Sequence, residues 1–346
     1  MPPSVILCGS VPLTSVETVF STCASILGPF ASRLPDGEVG VRRGWITFQL
    51  DVLCANPGLE IVPSELGTYT ALSKVRLRDG ITASEVSFGE LGYAKAAKES
   101  WAIFQELTTQ GKIASGTRFQ VCIPTPTAVI GVFLAECQDE IERSYESRLL
   151  AELNEVLDFI PKDKLAIQLD VAWEFAILEG MVPSWFGSTY AEQLPQVVER
   201  LARLGNAVPD GVELGVHLCY GDAGHKHFKE PEDMTKLADV ATGLISLLHR
   251  PLSYLHLPVP RSRDDVEYFA PLQPVIPLLR SHQTQLFLGL VHLTDGEAGA
   301  KKRIDAAAKI VKGFGVSTEC GLGRRPEEHV IKLLSLMKNV SNLVPQ

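Results

Sequence analysis

From residue 117 onward, six short apolar runs alternate with six longer amphipathic stretches, and few architectures satisfy that order. The runs are Arg118 to Ile123, Leu165 to Val171, Glu213 to Cys219, Tyr254 to Leu257, Leu286 to His292 and Gly315 to Cys320. Between and after them, Asp139 to Phe159, Tyr190 to Leu204, Glu232 to Leu248, Asp265 to Leu279, Gly296 to Phe314 and Glu327 to Leu343 carry apolar residues at helical spacing. Near-continuous apolar strands separated by covering helices are the pattern of a parallel sheet. The first 116 residues are less regular. Val5 to Cys8 reads as an opening strand, Val16 to Leu27 and Glu90 to Gln110 as helices, and a second strand falls near Ser32 to Pro35 or Glu85 to Phe88. With these two units the expected fold is a single-domain (β/α)8 TIM barrel over residues 1–346, a class that holds one core at this length. Pro35 to Thr82, rich in Gly, Pro and polar residues, is then a long insertion after an early strand, expected to cover the active-site face.

A net charge of −9, with no basic run longer than the three residues Lys301-Lys302-Arg303 and otherwise only pairs such as Arg42-Arg43, gives no footprint for nucleic acid. No apolar run approaches the ~18 residues of a membrane span, and no signal peptide is evident. Seven scattered cysteines do not make a disulfide framework, so reduced thiols in a cytoplasmic protein acting on a small molecule are expected. The oligomeric state is not readable from the chain.

Three strings at strand ends bear chemistry: His217-Leu218-Cys219-Tyr220, His256-Leu257-Pro258-Val259-Pro260 and Glu319-Cys320-Gly321-Leu322-Gly323-Arg324-Arg325. Imidazole and thiol are the preferred ligands of zinc, and strands of one barrel bring inward residues into one lumen. His217, Cys219 and Cys320 are therefore candidate ligands, the bland alternative being a buried histidine and small apolar thiols. Asp170 and Glu174 lie at and just after the carboxy-terminal end of the strand Leu165 to Val171, where a carboxylate takes a proton or holds an amine, or else caps a helix. Asp36, Glu38, Arg42 and Trp45 put anionic, cationic and stacking groups in one short loop, which is either a ligand-binding lid or an ordinary Pro-Asp-Gly turn. Arg325 or Arg324 in the glycine turn, and Arg261 after Pro260, are candidates for a substrate carboxylate or for surface pairing. His225 and His227 belong to a loop that offers proton donors or simply faces solvent.

Four of these segments resemble motifs of cobalamin-independent methionine synthase, in its catalytic carboxy-terminal barrel, within the superfamily that includes uroporphyrinogen decarboxylase. Gly9-Ser10-Val11-Pro12 resembles the family's Gly-Ser-x-Pro, Ile167-Gln168-Leu169-Asp170 its Ile-Gln-x-Asp, His217-Leu218-Cys219-Tyr220 its His-x-Cys-Tyr, and Cys320-Gly321-Leu322 its last Cys-Gly-Leu. The resemblance implies zinc on His217, Cys219 and Cys320, activating a thiol for methyl transfer from a folate. The family's remaining ligand, a Glu, is expected at the end of the strand Tyr254 to Leu257, where this chain has no acid. His256, two residues earlier and of the same inward parity, is the candidate replacement. The family's proton-donating His corresponds roughly to Thr294, with His292 on the preceding strand as a catalytic candidate. A second resemblance is to single-barrel relatives that share Leu34-Pro35-Asp36-Gly37-Glu38-x-Gly40-x-Arg42-x-x-Trp45, His-x-Pro-Val-Pro and Glu-Cys-Gly-x-Gly-Arg-Arg. Zinc-assisted methyl or alkyl transfer to a thiol leads, against a metal-free lyase, decarboxylase or hydrolase and a catalytically inactive binding protein.

Overall fold

The computed structural model describes residues 4–62, 73–222 and 226–345. Part of the expected insertion (63–72) and His225 lie outside them. In chain order the strands are β1 (Arg33–Pro35), β2 (Leu59–Val62), β3 (Lys74–Leu77), β4 (Arg118–Pro124), β5 (Leu165–Val171), β6 (Glu213–Leu218), β7 (Tyr254–Pro258), β8 (Gln285–Gly289) and β9 (Gly315–Val316). Seven of them form one parallel sheet in the order β1-β4-β5-β6-β7-β8-β9, while β2 and β3 pair antiparallel within the stretch read as an insertion. All six strands expected after residue 117 are present, and the Ser32 to Pro35 alternative is the one realised. The fold is α/β and TIM-like.

The opening strand is the element that differs from expectation. Val5 makes a single parallel bridge to Val316, and its N–H donates to Phe30 O just before β1. The carbonyls beyond it are taken by side chains instead: Ser317 Oγ donates to Ile6 O (2.8 Å), Gln120 Nε2 to Leu7 O (2.8 Å) and Gln168 Nε2 to Cys8 O (3.2 Å). Those donors satisfy buried backbone oxygens that a regular ladder would otherwise pair. The helix expected over Asp265 to Leu279 is instead two short pieces, Val266–Phe269 and Ile276–Ser281. Pro271 and Pro274 lie between them, and each lacks the N–H that would continue the ladder. Among the described residues no helix is long and apolar enough to cross a membrane.

Inward-facing positions of β4 to β7 are more polar than the branched aliphatic layers usual in such barrels. Gln168 is fully buried, and its amide uses all four of its hydrogen-bonding positions. Nε2 donates to Cys8 O and to Asp170 Oδ1 (2.8 Å), while Oε1 accepts from Gln120 Nε2 (3.1 Å) and Tyr254 Oη (3.2 Å). Gln168→Leu, similar in size, leaves these buried partners unsatisfied. It is expected to lower the unfolding free energy by on the order of 3 kcal/mol, read from urea denaturation, whereas Gln105→Leu on an exposed helix position should leave it nearly unchanged.

Candidate metal centre and active site

Strand register builds the centre. Asp170 on β5 is paired with His217 on β6, and His217 with His256 on β7. Residues level on neighbouring parallel strands share one parity, so the three side chains form one inward layer at the carboxy-terminal end of the sheet. Cys219, two residues beyond His217, keeps that parity, and Cys320 arrives from the turn after β9. Ligand atoms of His217, Cys219 and Cys320 lie within 4.8 Å of one another, and so do those of Cys8, His217 and His256. The Cys219 and Cys320 sulfurs are 3.4 Å apart, and Cys219 Sγ also accepts from Gly221 N at 3.2 Å. The Nδ1 atoms of His217 and His256 are 2.7 Å apart, and His256 Nε2 is 3.1 Å from Thr318 O. His217 Nε2 is buried without a hydrogen-bond partner among the described residues.

Burial holds both imidazoles neutral: His217 is pushed well below its ordinary value, with a further push from His256, and His256 falls to about 4. The Cys320 thiol is raised by its contact with Cys219 and by burial, and the Cys8 thiol by burial. A neutral donor set of this kind, two thiols beside a bare imidazole nitrogen, suits a soft divalent cation, whose charge would favour the thiolates.

These groups open onto a cavity of about 270 Å³ lined in part by Cys8, Ser10, Glu38, Asp170, His217 and Cys219. Trp45, Ile46, Val132, Trp173 and Phe228 supply its apolar wall, and Asp222, Cys320 and Arg324 further polar groups. Burial raises the Asp170 carboxyl well above the carboxylate range, with Glu38 adding to the rise. The Glu38 carboxyl goes up to about 7, chiefly by burial and against the pull of Arg42.

The loop after β1 is shaped to deliver Glu38 and Trp45. Asp36 accepts from Glu38 N (2.9 Å), Arg42 (2.6 Å) and Ser100 Oγ (2.8 Å), so its carboxylate is a fastening for the turn. Glu38 and Trp45 sit at φ of +50° and +63°, a region that costs a residue with a side chain on the order of 1–3 kcal/mol. Arg43 latches the loop to the last glycine turn, donating to Gly323 O at 2.7 Å and Arg325 O at 3.1 Å. Gly323 permits that approach, since a Cβ there would lie 2.7 Å from Ser10 Cβ and 2.8 Å from Arg43 O.

Of the residues singled out in the sequence, Glu38, Trp45, Asp170, His217, Cys219 and Cys320 line the cavity. Asp36 and Arg42 pair with each other behind it. His256 lies beneath His217, engaged at both ring nitrogens. His292 is buried beside the centre, with Nε2 on Val259 O (2.9 Å) and Nδ1 3.7 Å from Glu319. Glu174 is buried off the cavity, its carboxyl raised to about 7 by burial. Arg261 contacts Thr294 Oγ1, and it is Arg324, not Arg325, that reaches the wall. His227 is ion-paired with Glu230 and Glu319, which outweigh its burial and hold its proton up to about 10. Cys8, Asp222 and Phe228 were not singled out; only the inward parity of Cys8 on a strand marked any of them.

Two solved structures superpose over nearly the whole chain. A B12-independent methionine synthase from Shewanella sp. W3-18-1, in complex with selenomethionine, aligns with a TM-score of 0.64 at 14% identity, covering 99% of this chain and 97% of that one. A methyltransferase from Methanosarcina mazei aligns with a TM-score of 0.54 at 13% identity, covering 97% and 94%. The chain shares their fold. No protein-family model matches it, and no curated protein matches it in sequence.

The Glu38 carboxyl, raised from an ordinary 4.5 to about 7, keeps a proton on folding that the unfolded chain has released. Its contribution therefore disfavours folding increasingly as pH rises from about 4.5 through about 7. Glu38→Gln is expected to gain stability over the parent by on the order of 3 kcal/mol between pH 5 and pH 8, measured as the pH dependence of the difference in urea midpoints. An equal difference at both pH values would contradict the burial argument.

Proposed function

We propose that this protein is a methyltransferase-type barrel enzyme in which zinc held by His217, Cys219 and Cys320 assists alkyl transfer to a substrate thiol. The observation that carries this reading is the pair of cavity-lining thiols 3.4 Å apart beside a buried imidazole whose Nε2 has no partner among the described residues. Three protein ligands with an open position characterise catalytic rather than structural zinc. The shared fold of a methionine synthase and a methyltransferase supports the reaction class, and Val5 to Cys8, bridged to β9 and bonded beside β1, is read as the eighth strand of a closed barrel.

Held by His217, Cys219 and Cys320, zinc would supply the chemistry of lowering a bound substrate thiol's pKa, so that the thiol would give up its proton to solvent at neutral pH. The chain's own groups bind and orient the substrate. Asp170 and Glu38 receive a substrate ammonium, whose charge draws their carboxyls back into the ionised range. Arg324 takes a carboxylate. Trp45, Trp173 and Phe228 exclude water, and the latched loop from Asp36 to Thr47 closes the mouth. In the transfer the acceptor sulfur forms the new S–C bond as the bond from carbon to the donor breaks, the electron pair leaving with the donor.

Elemental analysis of protein purified without chelators tests the reading, with about one zinc per chain expected in the parent and none in Cys219→Ser/Cys320→Ser. With cobalt in place of zinc, a small amino-acid thiol is expected to intensify the thiolate-to-metal absorption, and Asp170→Asn to weaken that thiol's binding by on the order of 10–100-fold. Absence of metal in the parent, with turnover that survives chelation, would select the metal-free lyase, decarboxylase or hydrolase instead.

A further inference from the structure

The hydrogen-bond chain running through the two buried imidazoles has only one consistent proton assignment when both rings are neutral. Thr318 O is a carbonyl and can only accept, so the proton of His256 lies on Nε2, 3.1 Å away. His256 Nδ1 is then a lone pair, and the 2.7 Å contact requires His217 Nδ1 to carry the other proton. That leaves His217 Nε2 bare, the atom that is buried and unpartnered among the described residues. The reverse assignment would turn the lone pair of His256 Nε2 toward Thr318 O at 3.1 Å, with no proton between two acceptors, at a cost of about 1–3 kcal/mol.

We infer that His256 is not a metal ligand but a positioning residue, which fixes His217 in the tautomer that presents a bare Nε2 to a divalent metal at the cavity floor. The inference rests on the zinc reading given above. Both nitrogens of His256 are occupied within the protein, so it has no lone pair left for an ion. The packing around it is built for that role. Gly289 at the end of β8 lies against the ring, and a Cβ there would stand 2.9 Å from His256 Nε2 and 2.7 Å from Thr318 O. The ring is fully buried, so no water competes for either nitrogen. Cys8, which shares a second cluster with both histidines, spends its sulfur on Ser317 Oγ at 3.4 Å. A ligating histidine held by an acceptor on its other nitrogen binds metal more tightly because ring orientation and proton position are set in advance. Here a second imidazole serves as that acceptor, and it in turn is held by a backbone carbonyl.

Two measurements on the full chain test this and separate its failure from failure of the zinc reading. In metal-free protein, nitrogen-15 resonances of the imidazoles are expected to show His217 protonated at Nδ1 and His256 at Nε2. A proton on His217 Nε2 would overturn the inference whether or not zinc binds. Zinc affinity, by chelator competition, is expected to fall about 10–100-fold in His256→Ala. His256→Gln, which retains an acceptor for His217 and an N–H for Thr318, should recover most of that loss. X-ray absorption of the zinc-loaded parent is expected to show one imidazole, and two imidazoles would make His256 a ligand and overturn the inference. If the parent takes up no zinc, the zinc reading fails, and the resonances alone decide whether His256 sets the tautomer.

Discussion

One buried amide, that of Gln168, ties together the parts on which the centre depends. It joins β4, β5, β7 and the opening segment, and it holds the Asp170 carboxyl from the same nitrogen that steadies Cys8 O. A barrel interior filled by aliphatic side chains would leave the carbonyls of the opening segment unpaired, because that segment has one bridge instead of a ladder. Polar residues replace the missing ladder bonds. The same choice stacks hydrogen-bonded groups upward along the lumen until they reach the imidazoles and thiols at its end.

At that end, burial pushes six titratable groups toward neutrality. It depresses the two imidazoles, raises the thiols of Cys8 and Cys320, and raises the carboxyls of Glu38 and Asp170. A site that strips its own charges in this way is poised to gain from a ligand that restores them: a divalent cation for the sulfurs, an ammonium for the carboxyls. The strained backbone at Glu38 and Trp45 fits the same picture, since both residues face the cavity from a loop fastened by Asp36 and Arg43.

Much of this was legible in the chain because period-two parity and the βα alternation are local signals. They located β4 to β9, placed His217 and Cys219 on one inward face, and put Asp170 at the carboxy-terminal end of its strand. What was not legible depends on distance between strands. That His256 spends both nitrogens on neighbours follows from β6 and β7 standing in register and from the bend that brings Thr318 O back to the ring. The choice between Arg324 and Arg325 turns on the path of a tight glycine turn, and Asp222 and Phe228 reach the wall through loops whose course no periodicity encodes. The break between Val266–Phe269 and Ile276–Ser281 was foreshadowed by its prolines, whose missing N–H groups outweigh the apolar spacing across them.

The central claim is that His217, Cys219 and Cys320 share one metal ion. Anomalous diffraction from crystals of the zinc-loaded protein, recorded on both sides of the zinc absorption edge, tests it most directly. The account predicts a single peak bonded to His217 Nε2 and both sulfurs. No peak there, or a peak held by Cys8 and His256 in place of Cys219 and Cys320, would contradict it.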